Sequence, residues 1–488
     1  MSYLKKTVAV LLVAVMVIGL VACKKEPASA PTDEVKKSPL YQETTRTLRI
    51  GAWYEQYYTS AHDDIYDNPA PGDIDNAEKN LQNMRTIEKR YNIELYYDNL
   101  TWNGVIASIN TSIMAGAPDC DVYMLDLQFG IPAIVNDYAY SLEYILNESP
   151  EASLIEERYK DILSPEGSEV VAGMSFTTDG LTYIFSGKTK VNLAAYTLGY
   201  NKSLLDAYGL EDPNELLTKG EWTFDKWMEH MIELTDDLDG DGATDQWGFR
   251  GPWTNLLIQL LMANGTSIAA IEADETGKIV EQLTSPETTE VLNFLYDMYQ
   301  TYKVSFWDAD CDADWNANVY AWAEGNIGYW VDACWIAQSA DPDMNMIDDR
   351  GVVMWPAGPS GDIETNANIN STQGTYFMIP VGIENPALVY CVLYDYMNWY
   401  QDDLTLRDDT SWAEEWSYND DNFQVLVEMG NETSDSTLDL WQQISFDESY
   451  QIRGLIETSP DAVPITVAEF QQANKQIVQD YLDTTFNK

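Results

Sequence analysis

The chain has 488 residues, of which 45% are hydrophobic and 12% aromatic, so it is long enough for more than one packed body and too apolar to be disordered. With 27 basic and 80 acidic residues its formal net charge is −53. A field of that sign repels nucleic acid and anionic headgroups, and an anionic substrate would need a local Arg or Lys.

Lys5 and Lys6 precede Thr7 to Ala22 (TVAVLLVAVMVIGLVA), an uncharged and mostly apolar run. The run is short for a bilayer span and suits a signal peptide over residues 1–22. It ends in Leu20-Val21-Ala22-Cys23, which resembles the bacterial lipobox, and that likeness makes Cys23 the expected lipidation site. Two acyl attachments hold a protein to a membrane where one holds it only marginally. Cleavage before Cys23 removes two lysines and no acid, taking the net charge to about −55. Residues 23–45 are rich in Pro, Ser, Thr and charge without apolar periodicity, and are expected to be a flexible tether.

Leu48 to Trp53 reads as a strand, followed by a polar and aromatic loop from Tyr54 to about Asp75. Leu81, Met84, Ile87 and Tyr91 have helical spacing over Asn80–Tyr91; Ile93 to Tyr97 alternates as a strand. Apolar positions 105, 106, 109 and 113 predict a second helix, broken by Gly116-Ala117-Pro118-Asp119 before a buried strand at Val122–Leu125. This strand–helix alternation argues for a parallel α/β sheet, whose ligands sit beyond the carboxyl ends of the strands. That rule places Trp53, Tyr54 and Asp126 near a site.

The middle of the chain continues in the same manner. Leu198–Tyr200 is an expected strand, Thr223 an N-cap for a helix over Phe224–Leu234, and Ser285-Pro286 precedes a long helix from Glu287 to Tyr302. Asn326–Val331, Gly351–Trp355 and Thr375–Pro380 read as strands. Pro386 opens a helix expected to run through Tyr400. The last 85 or so residues carry helical pieces and many acids. Cys120 and Cys391 sit in apolar runs as small buried hydrophobes; Cys311 and Cys334 are compatible with a bridge in an exported protein.

The sharpest local motif is Asp237-Leu238-Asp239-Gly240-Asp241-Gly242-Ala243-Thr244-Asp245. Calcium loops place oxygen ligands at positions 1, 3, 5, 7 and 9 with Gly at 6. Asp237, Asp239, Asp241 and Asp245 fall at 1, 3, 5 and 9, and Ala243 offers its carbonyl at 7, but position 12 is Gly248 where Glu is needed. A structural Ca²⁺ and a metal-free acidic turn both fit; no other cofactor is expected. Catalytic signals are poor. The chain has two histidines, and His230, mid-helix, reads as a solvated residue. No nucleophile elbow, zinc-protease helix or phosphate loop appears.

Several segments together resemble the family 1 extracellular solute-binding proteins, the maltose-binding-protein group. They are Ile113-Met114-Ala115-Gly116-Ala117-Pro118-Asp119-Cys120-Asp121-Val122, Leu198 to Leu205 (LGYNKSLL), Gly220 to Trp227 (GEWTFDKW), Leu283 to Glu287 (LTSPE), Trp322 to Gly328 (WAEGNIG) and Trp355 to Pro359 (WPAGP). The likeness spans about residues 47–400, and the long tail departs from it.

This resemblance implies a two-lobed α/β fold with a hinge and a ligand cleft, in which binding closes the lobes. It divides the chain into residues 46–188 and 372–402 for lobe 1, 189–371 for lobe 2, and a helical part, 403–488, mostly on lobe 2. It also implies a non-enzymatic, lipid-anchored, monomeric binding component on the outer membrane face of a bacterium, Gram-positive by expectation. Its partners would be a carbohydrate, with an oligosaccharide favoured, and the transmembrane subunits of an ABC permease. A cell-surface glycoside hydrolase and a peptide-binding module are the alternatives. Rings cover the flat faces of sugars while acids, amides and Arg bond the hydroxyl rim. On that basis Trp53, Tyr54, Asp126, Trp253, Trp330, Asp332, Trp335 and Tyr376 are the expected ligand-binding set.

Overall fold

The structure is a computed structural model that describes residues 35–52, 74–174, 180–188, 193–194, 196–251, 253–266, 271–306, 322–333, 349–363, 376–411, 414, 417, 419–431, 452–459, 461, 463–485 and 487. The signal segment, Cys23, Cys311 and Cys334 lie outside these residues.

Two sheets organise the chain. The first has six strands in the order β2-β1-β3-β12-β5-β4. These are β1 (Arg46–Ala52), β2 (Ile93–Asn99), β3 (Val122–Leu125), β4 (Val171–Met174), β5 (Ile184–Gly187) and β12 (Tyr376–Met378). β1 pairs in parallel with β2 and β3, while β12 runs antiparallel to both β3 and β5. All four residues of β3 are buried, as a strand covered on both faces requires.

The second sheet has four strands, β11-β6-β10-β7. They are β6 (Tyr196–Asn201), β7 (Trp247–Arg250), β10 (Ile327–Ala333) and β11 (Arg350–Val353). β6 is antiparallel to β10 and β11, and β10 is parallel to β7. A hairpin of β8 (Ile271–Ala273) and β9 (Ile279–Glu281) stands apart from both sheets.

Each sheet carries its own core. Leu48, Ile50, Met84, Ile87, Tyr91, Phe377 and the Pro386–Met397 helix form one side of the first body, with Val105, Ile109, Phe129 and Ile184 on the other. Trp222, Trp227, Phe249, Leu256, Val291, Tyr329 and Trp355 centre the second. Leu426, Leu455, Phe470 and Leu482 belong to that second core, so the tail packs there. Cys120 and Cys391 are buried and unbridged, and burial pushes both thiols up, Cys120 to about 12.

Local chemistry explains where elements stop. Thr223, Ser285 and Asn385 cap their helices by accepting from the backbone N–H three residues on. The first helix begins at Ile74, earlier than the apolar spacing indicates, because its first turns are polar. Two predicted helices end as π turns, Ile109–Ile113 and Asp297–Thr301, which no apolar period marks. The Pro386 helix stops at Met397, short of Tyr400. Asn398 and Asp402 exchange two hydrogen bonds there, and Gln401 and Asp402 take left-handed backbone angles.

Candidate functional site

Of the residues expected at the site, Asp126, Asp332 and Tyr376 lie at or near strand ends of the two sheets. In the first body β3 delivers Asp126 one residue past its last strand position. Asp126 is buried, and its carbonyl accepts the N–H groups of Phe129 and Gly130 at 3.1 Å, which fixes the turn into the next helix. Tyr376 opens β12 opposite Leu125 and shares an apolar cluster with it. Trp53 and Tyr54 follow β1 directly but lie outside the described residues.

In the second body the parallel pair β7–β10 gathers the remainder. Trp330 sits opposite Arg250 on one side and Gly199 on the other; Asp332 faces Thr197. Gly251 carries φ of +145°, and a Cβ there would lie 3.0 Å from the Val331 backbone nitrogen. Only glycine lets the chain leave β7 so close to β10 and begin a helix at Trp253. Trp335 is outside the described residues.

The aromatic expectation requires a correction. Trp253 is 4% exposed and Trp330 1%, and the Trp330 ring stacks on Trp322 at 5.8 Å between centroids. Both belong to the second core, so neither presents a free ring face to a ligand. Tyr376 is likewise 5% exposed. Burying large rings is the strongest apolar gain a core offers, and that use prevails here. The Trp330 indole N–H is buried and meets no acceptor among the described residues.

Arg250 is the residue that sequence reasoning passed over. It is buried at the end of β7, with its guanidinium 3.5 Å from the Phe306 ring centroid. A lone Arg inside the apolar stretch Gly248-Phe249-Arg250-Gly251-Pro252-Trp253 of a strongly acidic chain was the available signal. A planar five-donor fork held over a ring is suited to bond hydroxyls or a carboxylate.

His230 is also corrected. It is buried, and its Nδ1 lies 2.8 Å from the Tyr329 hydroxyl. Burial first, and the Lys226 charge second, push its pKa down to about 4.

The acidic loop folds on itself. Asp237, Asp239 and Asp245 bring carboxylate oxygens within 4.8 Å of one another. Asp237 accepts from Gly240 and Gly242 N–H, Asp245 from Leu238 and Asp239 N–H. Gly242, at φ of +94°, makes the turn that the sixth loop position demands. Asp241 stands outside the trio and accepts from the Ala243 N–H at 2.8 Å.

No helix among the described residues is long and apolar enough to cross a membrane. Solved structures of similar fold come from several bacteria. The GacH receptor of Streptomyces glaucescens, solved without ligand and with acarbose, aligns at a TM-score of 0.56 and 16% identity, over 90% of this chain and 100% of that one. The maltose/maltodextrin-binding domain MalE of Bdellovibrio bacteriovorus with maltotriose gives 0.53 and 13%, over 88% and 100%. An ABC transporter solute-binding protein of Thermotoga lettingae with α-D-tagatose gives 0.53 and 15%, over 90% and 100%. At these identities the likeness establishes the two-lobed fold. The sequence profile of the bacterial extracellular solute-binding proteins matches residues 75–403, two thirds of the chain, and to that family the protein belongs.

Proposed function

We propose that this chain captures a carbohydrate, an oligosaccharide for preference, on the outer face of the cell membrane and hands it to an ABC permease without breaking a bond. The observation carrying this reading is the pairing of polar strand ends. Asp126 follows the end of β3 on one sheet; on the other, Arg250 ends β7 and Asp332 stands near the end of β10. Acids and a guanidinium suit a hydroxyl rim. Support also comes from the solved neighbours, whose ligands are sugars or polyols: acarbose, maltotriose, α-D-tagatose, D-mannitol and ribitol. Ring faces for stacking would come from Trp53, Tyr54 and Trp335 in this reading, since Trp253 and Trp330 are core residues.

The test is a glycan array followed by calorimetry on the best hit, with the sugar recovered after long incubation. Arg250→Gln and Asp332→Asn should each weaken binding on the order of tenfold to a hundredfold while the sugar returns intact. A cleaved sugar would establish the glycosidase alternative, and peptide binding without sugar binding the other.

The anchor and the metal are part of the same proposal. Cys23→Ser should move the protein from the membrane fraction to the medium; salt-resistant retention of that variant would refute the lipid anchor. In this reading Ca²⁺ sits on Asp237, Asp239 and Asp245 as a structural ion, with Asp241 and the Ala243 carbonyl drawn in on binding. Excess calcium should then raise the melting temperature of the wild type and leave Asp239→Ala unchanged.

A further inference from the structure

Three stretches join the two bodies. Residues 188–195 link β5 to β6 and residues 354–375 link β11 to β12. Residues 408–419 link the Leu404–Arg407 helix to the Asp420–Asn431 helix of the second core. The first and third, far apart in sequence, are tied to each other's neighbourhood at both ends.

On the first body both begin at residues 168–170. The Lys188 N–H donates to the Val170 carbonyl at 2.8 Å, and its Nζ donates to the Ser168 carbonyl at 2.8 Å. Arg407 Nη1 donates to the Glu169 carbonyl at 2.6 Å and lies 3.1 Å from its carboxylate. The Tyr400 hydroxyl donates to the same carbonyl at 3.2 Å. Arg407 Nε and Nη2 hold the two Asp408 carboxylate oxygens at 2.7 and 3.1 Å, in a fork that fixes the residue where the third stretch departs. On the second body the Ala194 N–H donates to the Leu426 carbonyl at 3.0 Å.

Burial decides which partner matters. The Glu169 side chain is 65% exposed, and its ion pairs with Lys188 and Arg407 are therefore weak. The Arg407 side chain is 6% exposed; its bonds to Asp408 are partly buried, while those to Glu169 face solvent. Only five residues lie between Lys188 and Ala194, a reach of at most about 20 Å, so the first connection is short.

We infer that Arg407 is the positioning residue of the hinge: it fixes the start of the third connection on Glu169, between the Ser168 and Val170 carbonyls that hold Lys188 at the start of the first, so that both connections leave the first body from one point. Arg407 touches no ligand in this scheme. It narrows the range of open states, and each open state that closing must abandon lowers apparent affinity. The link to affinity rests on the proposed solute capture; the narrowing does not.

The experiment measures the distance between spin labels on the full chain. Labels are carried by encoded azide side chains at Thr86 and Glu229, exposed positions on helices of the first and second bodies. Without any sugar, Arg407→Gln should broaden the distance distribution about twofold, and Lys188→Met should broaden it less. Arg407→Lys, which can reach the Glu169 carbonyl but cannot chelate Asp408, should fall between wild type and Arg407→Gln. Arg46→Met removes the Arg46–Asp121 pair inside the first body and should leave the distribution unchanged. Equal distributions for wild type and folded Arg407→Gln would overturn the inference, as would equal broadening by Arg46→Met. Should Arg407→Gln fail to fold, an unchanged distribution in both Arg407→Lys and Lys188→Met would overturn it. Maltotriose serves as the closing probe; if it leaves the wild-type distance unmoved, the carbohydrate reading suffers while the sugar-free comparison stands.

Discussion

The two bodies are held together by different chemistry. At the centre of the first, the buried Asp395 carboxylate lies 2.8 Å from Arg158, 3.3 Å from Arg90 Nε and 2.8 Å from the Tyr91 hydroxyl, with the Tyr159 hydroxyl at 3.0 Å. At the centre of the second, Trp227 meets Phe249, Tyr329 and Trp355 edge-on and stacks on Phe294, all within 6.0 Å between centroids. The first centre is directional and joins the Ile74–Tyr91 helix to the Pro386–Met397 helix across some three hundred residues of sequence. The second is volumetric, a set of rings that exclude water without naming each partner. A charged centre fails when one member is lost, because the others stay buried and unpaired. An aromatic centre fails when volume is lost, and tolerates apolar swaps that conserve volume.

Trp227→Ala tests the second half of that contrast and should have the largest effect. It should cost about 4 kcal/mol, the range for removing a fully buried ring, whereas Trp227→Phe should cost about half as much. The indole N–H meets no acceptor among the described residues, so losing it removes no bond there. Denaturant titration measures both. Equal costs for Ala and Phe would mean that the ring's volume is not what holds the second body.

Asp395→Asn tests the first half. It keeps the shape and removes the charge that Arg90 and Arg158 face, so it should cost about 3 kcal/mol despite a near-zero change in volume. A double change with Arg158→Met should recover part of that loss, and a thermodynamic cycle would quantify the coupling. If Asp395→Asn costs less than about 0.5 kcal/mol, the first centre is held by its apolar shell instead.

The sequence disclosed the two centres unequally. Thr223 as an N-cap announced the helix over Phe224–Leu234, and the strand readings placed β1, β2, β3, β6, β10 and β11 nearly where they lie. Asp395 could not be read in this way, since one acid among 80 acidic residues carries no local mark and its arginines are remote in sequence. His230 failed for a related reason. Helical spacing puts it on the same side as Trp227 and Met231, but a polar residue there signals burial only once Tyr329 is known to face it. At the candidate site, Asp126 and Asp332 do lie at or near strand ends, and the buried Trp253 and Trp330 show that aromatic abundance does not reveal which rings the core consumes.

His230 sharpens the comparison further, because it introduces a pH dependence into the aromatic body. Its folded pKa of about 4 lies below the ordinary value of 6.5, so between those values the unfolded chain binds more protons than the folded one. Stability from this group is therefore full above pH 6.5 and declines as pH falls toward 4, by on the order of 2 kcal/mol. His230→Gln should flatten that part of the stability curve. An unchanged acid slope in the variant would show that other groups set it.

The smallest expected effect concerns the tail, and it separates the bodies most cleanly. β11 is an edge strand of the second sheet, and such edges need their outward N–H groups covered. Asn422, 3% exposed on the tail helix Asp420–Asn431, accepts from the Val352 N–H at 3.0 Å and donates to the Ser417 carbonyl at 3.1 Å. The tail thus covers part of this sheet edge. Asn422→Ala leaves the Val352 N–H buried without an acceptor, at a cost of about 1 kcal/mol. Hydrogen exchange should report it locally: the Val352 amide should exchange faster by about fivefold, while amides of the Pro386–Met397 helix in the first body keep their wild-type rates. Faster exchange in both bodies would mean that the tail stabilises the molecule as a single unit, and the division into an ionic body and an aromatic one would then describe packing but not stability.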